Sequence, residues 1–419
     1  MSSRRSQGVF GNRDFVLLWF GNATSLVGLF GARIAYPLLV LASTGSPALA
    51  GWVGFAIGLP SLLFQIPAGI VADYVDRRRT LVGCQLAGVT AAGVAALVVV
   101  RDVPNPALLL TITAFVEGTA YVFFSLSELG AVRDVVAVEQ RPAAFALFEA
   151  EQPIATVVGR ATGAAMFGAL RWLPFAADAA SYAVCLATLS AVRGDFAARG
   201  DRAANSRRAL LLDGVRAVWA EPFLRVSTLI SGLSNMIIQV VILLLILRLD
   251  STGKPTWIIG IVLGAAGVGG VLGSFAAARL TARYSARTVY RGSLFGWSAL
   301  LVPIVLSTNP VVLAACWCGV GAVGTVVNVA LTLFRVRVLP EQTLGRAVGA
   351  ANLVTDGAVA LGALLAGYLL SAFGTITTGS ALVCAMLVLA LGAHYLGAPL
   401  RQVGESIPEA STADSPDRS

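Results

Sequence analysis

Long apolar runs recur along the chain, and they restrict its fold more than any other feature. Runs of about 20 mostly apolar residues, the length a helix needs to cross a bilayer, fall at 15–42, 48–72, 80–100, 106–131, 144–169 and 172–192. A polar stretch from Arg193 to Arg216 interrupts them, and they resume at 223–247, 257–278, 288–307, 310–334, 347–372 and 376–397. The runs are continuous and lack the ~10-residue alternation of a membrane barrel strand. The sequence therefore predicts an all-α membrane protein of twelve spans in two six-helix halves. The expected divisions are a terminal segment 1–14, a bundle 15–192, a linker 193–222, a bundle 223–397 and a disordered polar tail 398–419.

Composition agrees. Hydrophobic residues make up 57% of the chain and charged ones only 12%, about half the share of a soluble domain. The net charge of +8 is not a nucleic-acid footprint, because the arginines cluster in short gaps between apolar runs. Cys84, Cys185, Cys316, Cys318 and Cys384 sit inside the runs, where cysteine behaves as a small hydrophobe. His394 is the single histidine, so a histidine metal cluster is excluded and a Ser-His triad would have only one possible base. No GxxxxGK[ST] loop for cradling phosphates occurs in the sequence. The expectation is a non-enzyme with no cofactor or metal.

Orientation follows from the basic residues of the short loops. One set of loops, together with both ends of the chain, holds 23 arginines; the other holds Arg101, Arg171, Arg248 and Lys254. Both termini are expected in the cytoplasm. The bias of 29 arginines to one lysine points to a bacterial inner membrane. The halves also share a short repeat. Arg133 and Glu139-Gln140 recur as Arg335 and Glu341-Gln342 at a constant offset of 202, after the fourth run of each half. Two six-helix halves related in this way are the parallel repeat of one transporter architecture.

The segment between runs two and three reads Gly69-Ile-Val-Ala-Asp73-Tyr-Val-Asp76-Arg77-Arg78-Arg79. It resembles the hallmark loop of the major facilitator superfamily. The resemblance implies a conformational latch made by Gly69, Asp73, Arg77 and Arg78. Gly69 would permit close helix approach, and Asp73 would accept hydrogen bonds or pair with an arginine across the halves. The second half keeps Gly273 and Arg279 but has Ala277 at the acidic position. Run five holds Gly159-Arg160-Ala-Thr-Gly163, similar to the glycine-rich fifth helix of antiporters, with Arg160 replacing the usual proline. The segments Arg13-Asp14-Phe15, Asp178-Ala-Ala-Ser181-Tyr182 and Leu212-Asp213-Gly214-Val215-Arg216 resemble the branch containing macrolide-efflux proteins and the enterobactin exporter.

A charge at mid-bilayer costs about 2.5–3.5 kcal/mol on insertion scales, so it should face the interior or a partner. The charges inside the runs are Arg33, Glu117, Glu149, Glu151, Arg160, Asp178 and Asp356. The resemblance implies that the first and fourth helices of each half line a central cavity, which makes Arg33 and Glu117 the first cavity candidates. Glu117 is the first choice for a proton site, with Arg33, Asp178, Arg160 and Asp356 as further charge candidates. Glu149 and Glu151, near one end of run five, are expected to be solvated, and Asp178 to serve packing between the fifth and sixth helices. Tyr36, Phe115, Tyr121, Asn235, Gln239 and Asn328 are the candidates for the substrate wall. The function expected is proton-coupled export of a small hydrophobic or amphipathic molecule by a monomer in the lipid bilayer. An uptake symporter or a siderophore or lipid mover of the same fold is the alternative, and a non-transporting sensor the least favoured.

Overall fold

The computed structural model describes residues 9–194 and 207–396, apart from the side chains of Asp73, Glu149, 207–213, Glu341, Gln342, 395 and 396. The expected tail 398–419, most of the segment 1–14 and the middle of the linker lie outside the described residues.

The described chain is helical throughout. Its first six long helices are α1 (Arg13–Thr44), α2 (Pro47–Tyr74), α3 (Arg77–Val100), α4 (Ala107–Val135), α5 (Arg141–Ala169) and α6 (Leu173–Ala191). A short helix follows, α7 (Arg207–Ala220), and then α8 (Pro222–Asp250), α9 (Trp257–Arg283), α10 (Ala286–Leu306), α11 (Pro310–Val338) and α12 (Glu341–Leu396). Among the described residues ten helices are long and apolar enough to cross a membrane. One of them, α12, holds two spans: Gly374 interrupts it at φ 71° and ψ 178°, a conformation open to glycine at no steric cost. The 29-residue α5 is long enough to span but carries Glu149, Glu151 and Arg160. Twelve membrane-length segments result, as expected.

Turn chemistry sets the helix ends. Asn12 accepts from the backbone N–H groups of Asp14 and Phe15, and Ser46, followed by Pro47, caps α2; both are strong N-terminal signals. Gly45 closes α1 in the left-handed region at φ 63°. The predicted start of run one is tied to the end of run six, where the Asp14 carboxylate accepts from Gly194 N at 2.9 Å. Arg78 donates to the last carbonyls of α6, those of Leu189, Ser190 and Val192. Arg77 pairs with Asp134 of α4 at 2.5 Å.

Glycine allows the closest helix approaches. A Cβ on Gly163 would lie 2.4 Å from Gly31 Cα, and one on Gly159 would lie 2.5 Å from Val27 O, so the fifth-helix motif seats α5 against α1 backbone to backbone. In the second group, α9 and α11 meet at Gly269 and Gly321, where a Cβ would fall within 2 Å of a carbonyl oxygen.

The two groups of helices touch along α2–α12 and α5–α9. Gly51 faces Ala363 and Gly367, and Gly58 faces Ala360. Gly260 faces Arg160 and Ala164, and Gly267 faces Val157. All these positions lie in the halves of their helices remote from the chain termini. Towards the termini Gly69 on α2 and Gly349 on α12 have open space around them. The glycine contacts between the two groups therefore lie towards the end remote from the termini.

Candidate functional site

A cavity of about 290 Å3 lies between the two groups. Its floor and sides come from α1, α2, α4 and α5 on one side and from α8 and α12 on the other. Most of the wall is apolar, with Phe30, Ile34, Ile57, Ile242, Leu243 and Val359 among its residues. The polar side chains are few: Arg33, Ser61, Tyr121, Gln152, Arg160, Gln239 and Asp356. Pro37 also lines the cavity; lacking an N–H, it leaves the carbonyl one turn back, that of Arg33, without its helical partner.

Arg33 is the centre of this polar set. Its guanidinium lies 4.9 Å from the Tyr121 ring centroid and 5.3 Å from that of Phe30, within cation–π range. It interacts electrostatically with Asp356 across the halves and with Glu117 and Asp178 behind the wall. Facing aromatic rings, it keeps a site for charge in a wall that otherwise suits apolar surface.

Of the residues expected here, Arg33, Arg160, Asp356, Tyr121 and Gln239 line the cavity. Glu117 does not, although the resemblance had implied it. It is fully buried inside the first six-helix group, where Tyr36 O–H donates to its Oε1 at 2.7 Å. The same hydroxyl lies 3.1 Å from Thr113 Oγ1, and the Tyr36 ring meets Phe175 edge to face at 4.9 Å. Tyr36 is thus a buried hydrogen-bond partner and not a wall residue. Phe115 packs against Phe64, Asn235 is half-buried on α8 and Asn328 is exposed on α11; none of the three lines the cavity.

Asp178 was expected to serve packing between the fifth and sixth helices. Instead it sits against α1, where a Cβ on Gly28 would come 2.6 Å from its Oδ1, and beside Glu117 of α4. Ser181 donates to the Asp178 backbone carbonyl at 2.7 Å and lies 3.4 Å from its carboxylate. Both carboxyls are fully buried and lie within hydrogen-bonding reach of each other once one is protonated; apart from each other, Glu117 Oε2 and Asp178 Oδ2 have no hydrogen-bond partner. Unpaired carboxyl oxygens in the interior are costly, and proteins retain such groups chiefly where they act.

Glu151, expected to be solvated, is buried, and Asn22 Nδ2 donates to its Oε2 at 2.5 Å. A further buried carboxyl, Glu128, interacts with Glu151. The sequence reading passed over Glu128. A signal was available: it lies eleven residues beyond Glu117 on α4, about three full turns, and so shares its face.

Among the latch residues, Arg77 and Arg78 bind within the first group, to Asp134 and to the end of α6. Gly69 faces open space, and the Asp73 side chain lies outside the described residues.

Residues 7–416 match the model of the transmembrane secretion effectors, a major facilitator family. The chain belongs to this family. It is a multi-pass membrane transporter, and its family and relatives are transporters and not enzymes. The multidrug efflux pump Tap of Mycolicibacterium fortuitum is 26% identical over 400 residues, spanning 91% of this chain and 95% of that protein. Solved structures share the fold. A nucleoside transporter, NupG, has a TM-score of 0.75 at 15% identity, covering 91% of this chain and 98% of that one. A bacterial homologue of the human lysosomal transporter Spinster, in an inward-facing and unoccupied conformation, has a TM-score of 0.72 at 14% identity, covering 92% and 96%.

Proposed function

We propose that this secretion effector exports a small amphipathic molecule in exchange for protons. The carrying observation is the buried Glu117–Asp178 pair, which lies directly behind a mostly apolar central cavity and is linked to it by Arg33. A carboxylate is an acceptor only and gains a donor on protonation, so a pair of neighbouring carboxyls is suited to holding one proton between them. Arg33 faces both the pair and the cavity. A substrate that draws Arg33 towards the cavity would leave the pair with its proton. Loss of that proton would draw Arg33 back and displace the substrate.

The cavity wall favours substrates with a broad apolar surface and one or two groups able to meet Arg33, Arg160, Gln239 or Asp356. The name of the relative, a multidrug efflux pump, supports export. With both termini in the cytoplasm of a bacterial inner-membrane protein, the present shape is the inward-facing one, ready to load from inside. The end nearer the termini then carries Gly69 and Asp73, and we propose that they meet the second half only in the outward-facing shape. A monomer is sufficient, because the cavity is completed within one chain.

The test is substrate-dependent proton release from everted vesicles, read with a pH-sensitive dye for ethidium, erythromycin and tetraphenylphosphonium. Wild-type release, lost in Glu117→Gln, is the expected outcome. Release that persists in Glu117→Gln and in Asp178→Asn would move the proton site elsewhere.

A further inference from the structure

We propose that Glu128 and Glu151 form a second proton-holding pair, which connects the Glu117–Asp178 pair to the terminus-side end of the molecule by a route inside the first six-helix group. The inference rests on the proton-site reading above and adds an entry path separate from the substrate cavity.

Four observations carry it. First, the two pairs share α4: Glu128 follows Glu117 by eleven residues, about 16 Å along the axis, in the direction of the terminus-side end. Second, Glu128 and Glu151 are both buried, each has a carboxyl oxygen with no hydrogen-bond partner, and Asn22 of α1 holds Glu151 at 2.5 Å. Third, a cavity of about 20 Å3 lies between the pairs, and that is room for one water molecule. Asn22, the partner of Glu151, lines it at one side and Tyr182, which interacts with Asp178 and Glu117, at the other. Fourth, the groups between the pairs are poised to bond but unpaired. The Tyr182 hydroxyl and Gln85 Oε1, which line the small cavity, are buried without partners.

The remaining titratable groups around the second pair are Cys185 of α6, which interacts with both glutamates, Tyr121, which interacts with Glu128, and Cys84 of α3, which lines the small cavity. None carries a positive charge that would lock the pair in its ionised form. Tyr121 lines both the small cavity and the substrate cavity. Its ring, with Arg33 stacked on the other cavity's side, is the partition between them. In each transfer along the route, a group accepts one proton from its neighbour and passes one on, so no net charge is left in the apolar interior. The route would let protons reach the buried pair while the substrate fills the central cavity.

The test uses the purified full-length protein in lipid nanodiscs, without substrate. Infrared spectroscopy follows the carbonyl stretch of protonated carboxyl groups after a switch from H2O to D2O. The band that disappears in Glu117→Gln reports the inner pair. In Glu128→Gln, and independently in Tyr182→Phe, that band should keep its position but exchange about tenfold or more slower than in wild type. Glu128→Asp, which restores the acid, should recover most of the rate. Wild-type exchange rates in both Glu128→Gln and Tyr182→Phe would overturn the route and leave the inner proton site standing. If no wild-type band depends on Glu117, the proton-site reading fails, and the route fails with it.

Discussion

The two halves of this transporter share a fold and differ in what they bury. In the first half the interior holds Glu117, Glu128, Glu151 and Asp178. Among the described residues, nine of the ten buried side chains with an unpartnered polar atom belong to it, and Thr228 alone belongs to the second. The second half instead satisfies its interior. Trp297 donates to Val320 O at 3.0 Å, Trp317 to Leu263 O at 3.3 Å, and Tyr290 to Ser227 O at 3.0 Å. Its buried charge, Arg248, donates to the carbonyls of Ile304 and Val305 near the end of α10, a favourable place for a cation. Close backbone approaches occur in both, with Gly31–Gly163 in one and Gly269–Cys318 and Gly321–Ala266 in the other. Unsatisfied polar groups cost stability, and their concentration in the first half is where the proposed proton chemistry would reside, with the second half as its counter-wall.

The largest expected effect would break this contrast if it failed. Glu117→Gln should lower proton-coupled efflux on the order of 100-fold, while exchange of labelled against unlabelled substrate across the same vesicles continues. If any single neutral substitution of a second-half residue outside the cavity, such as Arg248→Met, cost as much transport per folded molecule, the division of labour would be wrong.

Next come the glycine contacts, where the halves should behave alike. Gly163→Ala and Gly269→Ala each force a Cβ into backbone and should destabilise by about 1–3 kcal/mol, read as a lower thermal midpoint of the purified protein. Gly69→Ala should leave this conformation's midpoint unchanged, since nothing lies within 4 Å of the added methyl.

Arg248→Met sharpens the scaffold half of the comparison. It removes donors from two carbonyls, and a loss of about 1–2 kcal/mol is expected, with transport per folded molecule retained. The smallest effect belongs to the end remote from the termini. Trp52 Nε1 donates to Tyr368 O–H across the halves at 2.9 Å, in an exposed position. Tyr368→Phe should cost about 0.5 kcal/mol and shift the population modestly towards the outward-facing shape, measurable as spin-label distances across that end.

The spans themselves were legible in the sequence, because a helix in lipid must be apolar over a fixed length and its ends must be capped. The six-break-six order and the small-residue motif at Gly159 and Gly163 follow from local composition, whereas α1 as the partner of that motif does not. So did the presence of costly charges at Arg33, Glu117, Arg160, Asp178 and Asp356. Where those charges point was not legible. Glu117 was expected in the cavity and lies behind its wall; Glu151 was expected in water and is bonded to Asn22; Tyr36 was expected to meet substrate and meets Glu117. Each side chain is placed by which face of its helix meets which neighbour. Rotation of a helix by one residue changes its face by about 100° while leaving its apolar length untouched. Apolar length and end signals act within one segment, and the sequence alone determined them. The pairing of carboxyls from α4, α5 and α6 depends on contacts between residues up to 61 positions apart, as Glu117 and Asp178 are, and only the tertiary structure decided it.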